Sequence, residues 1–216
     1  MTGYSTDEER LEALRTWWGE NGRSIIIGVV LGVAILAGWK FWTTYQQRQQ
    51  ESASQLYGTL LNDLGNKQAD AADKVYAQLK SGYERTPYAA LAALHMAKLA
   101  ADANDLDKAA AILTWANEHA SEPQVREVAR IRLARVLVAQ KKYDEAMKRL
   151  DGDFPNAYLP LVAELKGDIY RARGQLKEAH TAYQQAMVAA GGHASEYLQM
   201  KLADVGTSDT PQPEKP

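Results

Sequence analysis

The sequence has no cysteine in its 216 residues. That excludes disulfides, thiolate nucleophiles and cysteine-ligated zinc, and it suits a reducing or an oxidising compartment equally, so compartment must come from topology. An excess of either charge is also missing. Of 25 basic and 27 acidic residues, four and five respectively stand at or before Lys40, leaving 21 against 22 beyond it. A soluble part this close to neutral gives a nucleic-acid partner no electrostatic support, and none is expected. Catalytic signatures are absent too. His95, His119, His180 and His193 fall on different segments without metal-ligand spacing,. There is no nucleophile elbow, no dinucleotide-binding glycine fingerprint and no phosphate-binding loop, since Gly32 to Lys40 has the wrong spacing and lies in an apolar run. Adjacent acids such as Glu8-Glu9 read as exposed helix-start residues. No enzyme, cofactor or metal site is expected. Alternating β-branched runs, which strands require, are scarce, so the expected fold class is all-α.

What is present begins with a charge-free stretch, SIIIGVVLGVAILAGW, from Ser24 to Trp39. Its sixteen residues cover about 24 Å as a helix, short of a hydrocarbon core of about 30 Å. Lys40 can place its ammonium at the interface and admit Phe41 and Trp42 to the span. Trp17 and Trp18 on one side, with Trp39, Trp42 and Tyr45 on the other, suit the headgroup level. The stretch before the apolar run is long and acidic, and Lys40 to Tyr45 offers no small-x-small cleavage site, so the segment reads as an uncleaved signal anchor over residues 24–45. Arg10, Arg15 and Arg23 before the span, against Lys40 and Arg48 after it, favour a cytoplasmic N-terminus by a narrow margin. Gly28 and Gly32 form a G-x-x-x-G, and Ala34 and Gly38 repeat that spacing, which suits close helix packing as well as simple tolerance of small residues in lipid. Residues 1–23 are expected to hold a short amphipathic helix, capped by Thr6 with Glu9 and broken at Asn21-Gly22.

Residues 46–205 are rich in Ala, Leu, Gln, Lys and Glu and show internal self-similarity,. The clearest unit runs from Pro160 to Ala190, where Gly167, Tyr170, Gly174, Leu176, Ala179, Tyr183 and Ala186 have tetratricopeptide-repeat spacing. Small Gly167 and Ala179 permit close approach of two antiparallel helices, the tyrosines fill space between neighbours, and Gly174 supplies the turn. Earlier units contain Leu133, Ala134, Leu137, Tyr143, Ala146 and Leu150, and before them Ala97, Leu106, Ala109, Leu113 and Ala116. Both lack the turn glycine, having Lys141 or Asn104 instead, and their prolines, Pro123 and Pro155, keep no fixed place. A degenerate leading pair over 54–64 and 69–83 retains Ala72, Tyr76 and Leu79. A last helix near 193–205 caps the apolar end of this helical solenoid. Residues 206–216 form a proline-rich polar tail, expected to be disordered.

In such solenoids function sits on the face lined by the first helix of each pair. Spacing puts Leu91, Leu94, Lys98, Val128, Ile131, Arg135, Val138, Glu164, Asp168 and Arg171 on or near it. Two readings are open: a protein-binding groove carried by Lys98, Arg135, Val138, Glu164, Asp168 and Arg171, or ordinary salt bridges between stacked helices.

The acidic N-terminus, Trp17-Trp18 with Glu20-Asn21-Gly22-Arg23, the run GVVLGVAILAGWKFW, and repeats containing RLARV (Arg132 to Val136) and ELKGD (Glu164 to Asp168) together resemble the bacterial YfgM family of ancillary SecYEG translocon subunits. The resemblance covers nearly the whole chain, and the membrane block is its most specific part. It implies a single-pass inner-membrane protein with a cytoplasmic N-terminus and a periplasmic repeat domain. It also implies association with SecYEG and the periplasmic chaperone PpiD, assisting newly exported polypeptides. No catalytic residues carry over from the family, and no motif assigns partner contacts to individual positions. Two functional classes follow: a translocon-associated, chaperone-like adaptor, or a structural scaffold for an envelope complex unrelated to export.

Overall fold

The computed structural model describes residues 7–206, and no strand occurs among them. The chain divides into two compact units, Met1–Glu51 and Ser52–Pro216. The proposed Thr6 cap and the tail beyond Gly206 lie outside the described residues.

The first helix, α1, spans Asp7–Gly65 without interruption. The expected break at Asn21-Gly22 is therefore absent, and the segment 54–64 is the end of α1 rather than a separate helix. Two local interactions account for the continuity. The Asn21 side chain donates to the Trp17 carbonyl at 3.1 Å, serving the helix it was expected to end. The Trp18 indole lies over Gly22, so close that a Cβ there would meet the ring at 3.2 Å, and it buries the glycine. A helical glycine costs about 1 kcal/mol relative to alanine, little enough for the indole contact to offset.

Large apolar side chains along this helix are uncovered by protein, with Trp39 at 70% and Phe41 at 76% exposure. Among the described residues one helix is long and apolar enough to cross a membrane, and none of its apolar window is buried in the protein. A continuous exposed apolar surface of this kind calls for a non-aqueous neighbour.

In the second unit helices alternate as pairs. The end of α1 is followed by α2 (Ala69–Gly82), then α3 (Pro87–Asp102) with α4 (Leu106–His119), α5 (Pro123–Ala139) with α6 (Tyr143–Arg149), and α7 (Leu159–Ala172) with α8 (Leu176–Ala190). The closing helix α9 covers Glu196–Gly206, and Ser195 Oγ accepts the Leu198 N–H at its start. His193 lies before α9, in a short 3-10 turn.

One turn is used four times. Lys67, Asn104, Lys141 and Gly174 have φ of 58°, 60°, 62° and 75°. At each, the next residue's N–H reaches back five residues, as from Gln68 to the Asp63 carbonyl and from Gln175 to the Tyr170 carbonyl, closing a Schellman motif,. Asn104 and Lys141 thus do the work of the glycine they replace, and Lys67 gives the leading pair the same turn. The prolines are regular as well: Pro87, Pro123 and Pro160 occupy the first turns of α3, α5 and α7. There the missing N–H costs nothing and the fixed φ suits the helix.

The core is built at the repeat positions. Ala72, Ala109, Ala146 and Ala179 are fully buried, as are Leu150 and Tyr183. Helix α3 buries six alanines with Leu94 and Met96, so its neighbours approach closely on several sides,. Helix α6 is only 7 residues long. Its end is held by Arg130, which donates to the carbonyls of Arg149, at 2.5 Å, and Asp151 while stacking 4.0 Å from the Phe154 ring.

Lysine in a left-handed conformation carries a backbone cost that glycine lacks. Lys141→Gly is expected to stabilise the repeat unit by about 1 kcal/mol, raising Tm by about 2–4 °C, and Gly174→Ala to lower it similarly. Thermal circular dichroism of the full chain in detergent checks both.

Candidate functional site

The candidate groove residues separate into two places. Lys98 and Arg135 border a cavity of about 310 Å³ between α3 and α5, floored by Ala97, Ala101, Leu113 and Val136. Arg132 completes its rim and donates to the Leu94 carbonyl at 3.3 Å. Lys98 bonds Asp102 at 2.5 Å, both side chains about two thirds exposed, an arrangement worth little in water,. Val138 is half-buried against the core and does not line the cavity. Leu94 and Ile131, expected on this face, are core residues at 7% and 3% exposure. His95, hydrogen-bonded to the Tyr57 hydroxyl at 3.1 Å, has its pKa lowered by burial and then by the Arg132 charge, which favours a neutral ring,.

Glu164, Asp168 and Arg171 face α9 instead. Lys201 of that helix, its side chain only 8% exposed, reaches Glu164 Oε1 at 2.8 Å and Asp168 Oδ1 at 2.7 Å. Tyr183 donates its hydroxyl to Asp168 at 2.8 Å. Arg171 pairs with Asp204 at 3.5 Å. Burial alone would lower the Lys201 pKa; hydrogen bonds and charge from Asp168 and Glu164 outweigh it, and the net direction is up. Tyr183 is pushed up as well, first by burial and then by Asp168. The whole arrangement depends on Gly167, where a Cβ would stand 2.4 Å from the Tyr183 ring.

Lys201 is not among the residues that spacing places on the repeat face, because the last helix reads as a cap. The signal was available: Lys201 lies 33 residues after Asp168, which itself lies 33 after Arg135, so α9 continues the register of first helices. In the apolar stretch of α1, Gly28, Gly32 and Gly38 have nothing within 4 Å of a Cβ position. At 3.6 residues per turn, the pair Gly28 and Gly32 points about 120° away from Ala34 and Gly38, so the four make two faces rather than one stripe. Among the described residues no group of three or more His, Asp or Glu is placed to hold a metal ion.

Removing the buried cation strands two carboxylates. Lys201→Met is expected to destabilise docking of α9 by about 3 kcal/mol, read as faster amide exchange over 196–206. Since the folded Lys201 pKa exceeds its unfolded value of about 10.4, the contribution is complete below that pH and disappears as pH rises through the folded value. Alkaline release of α9 should therefore occur in the parent chain and lose its pH dependence in Lys201→Met.

A family model described as a tetratricopeptide repeat-like domain matches residues 15–207. The chain is 33% identical over 206 residues to the ancillary SecYEG translocon subunit of Escherichia coli (strain K12), covering 94% of this chain and 98% of the relative. It is 31% identical over 201 residues to the protein of that name from Haemophilus influenzae, covering 92% and 98%. A third, from Neisseria gonorrhoeae, is 28% identical over 208 residues, covering 94% and 98%. With an apolar anchor helix, four helix pairs on one turn geometry and end-to-end similarity to these relatives, the chain belongs to the tetratricopeptide repeat-like family of ancillary SecYEG translocon subunits.

Proposed function

We propose that the chain works without enzymatic chemistry as a membrane-anchored ancillary subunit of the SecYEG translocon, through protein contacts of its repeat domain. The observation that carries this is similarity over 94% of the chain to a protein of that name, spanning anchor and repeats together. A shared repeat domain alone would support far less, because such repeats serve many unrelated partners. Residues 1–23 are assigned to the cytoplasm, 24–45 to the inner membrane as a signal anchor, 46–205 to the periplasm and 206–216 to a tail. The basic residues before the span support this orientation. In this arrangement the domain links the channel to periplasmic chaperones, PpiD being the partner implied by the YfgM resemblance, and assists newly exported chains. The Gly28/Gly32 and Ala34/Gly38 faces offer two places for close packing by membrane helices of a partner.

Affinity purification of the full chain from solubilised bacterial membranes is expected to recover SecY and PpiD, and recovery of envelope-assembly proteins in their place would defeat the reading. A reporter joined after Gly206 should be active in the periplasm; activity only in the cytoplasm reverses the orientation. Gly28→Leu with Gly32→Leu should lower SecY recovery if that face packs in the membrane, and unchanged recovery removes the assignment.

A further inference from the structure

We propose that the cavity between α3 and α5 binds an internal segment of a partner polypeptide carrying an aliphatic residue next to an aspartate or glutamate. The aliphatic side chain enters the cavity and the carboxylate pairs with Arg135. The inference rests on the reading of the repeat domain as a protein-contacting module and adds the chemistry of what it contacts.

Three observations converge on it. First, the floor of Ala97, Ala101, Leu113 and Val136 is apolar, and about 310 Å³ stands at the small end of ligand pockets, room for an aliphatic side chain rather than a large cofactor,. Second, every charged residue lining the cavity is a cation. Lys98 is tied only to exposed Asp102, and among the described residues the Arg135 side chain makes no hydrogen bond, ion pair or ring contact. A guanidinium presents a planar fork suited to a carboxylate, so an unpaired arginine beside an apolar floor selects an acidic neighbour to the buried group. Third, the repeat itself shows what this register position does. Arg135, Asp168 and Lys201 stand 33 residues apart in turn on α5, α7 and α9. Asp168 is met by Lys201 at 2.7 Å, so the chain supplies the counter-charge at that step. At Arg135 the sign is reversed, and among the described residues no counter-charge meets it. The cations lie on two helices along the cavity, which suits a segment passing through more than a single chain end.

The test uses the full chain in detergent micelles and a short fluorescein-labelled Gly/Ser peptide with a central Leu-Glu-Leu-Asp, followed by anisotropy. Binding is expected to weaken about tenfold or more when Glu and Asp become Gln and Asn, when the leucines become serines, and in Arg135→Glu. A Leu-Lys-Leu-Lys peptide should in turn prefer Arg135→Glu. Because Arg135 is exposed and unpaired, the variant should keep the parent's helical circular dichroism. Equal binding of acid and amide peptides, or an undiminished Arg135→Glu, overturns the inference. SecY recovery from membranes separates it from the broader reading. Recovery without peptide binding defeats the cavity assignment alone, whereas peptide binding without SecY recovery defeats the translocon role alone.

Discussion

The repeat domain depends on how closely two antiparallel helices can approach across a tight turn. That turn needs one residue in the left-handed region, where a side chain is strained by its own backbone. It also needs small residues where the paired helices meet, so that a buried ring such as that of Tyr183 can lie directly on the facing backbone. The contact of Gly167 with Tyr183 is the extreme case, at a distance no other residue permits. Ala109, Ala146 and Ala179, small and fully buried, keep the second helix of each pair close to its neighbours. The strain at Lys67, Asn104 and Lys141 is small beside the apolar burial that each closed pair secures, which is why the turn survives without glycine,.

Charge follows a different logic at the two ends of the repeat face. At α7 the carboxylates of Glu164 and Asp168 are neutralised by a lysine from the same chain, which fastens the last helix. A pair this buried adds orientation more than net stability, because desolvation offsets much of the attraction. Between α3 and α5 the cations border an apolar floor, and among the described residues the Arg135 side chain has no partner. One face therefore combines a position closed from within with a position suited to a partner.

The anchor helix shows how environment overrides local signals. Asn21 and Gly22 are helix-ending residues by local preference, because an asparagine amide competes for backbone groups and glycine is conformationally free. Beside Trp17 and Trp18 the amide returns to its own helix and the glycine is sheltered under an indole. Uninterrupted backbone hydrogen bonding is what a chain entering hydrocarbon requires.

Fold class, the apolar span and the repeat spacing could be read directly, because a charge-free run and residues recurring every 33 to 37 positions are properties of order along the chain. The packing roles of Gly167, Ala179 and Tyr183 followed from that spacing. Placement of the polar residues could not be read the same way. Periodicity put Arg135 and Asp168 at one position and so on one face, yet only packing decided that Asp168 receives Lys201 at 2.7 Å while Arg135 borders an open cavity. Spacing puts Leu94 and Ile131 on or near the repeat face, yet both are buried, since depth is set by neighbouring helices distant in sequence. Helical order along the chain was thus determined locally by residue type and spacing. Which charges are satisfied and which surfaces stay open is a property of the assembled helices, because it depends on distances between side chains that only the tertiary fold brings together.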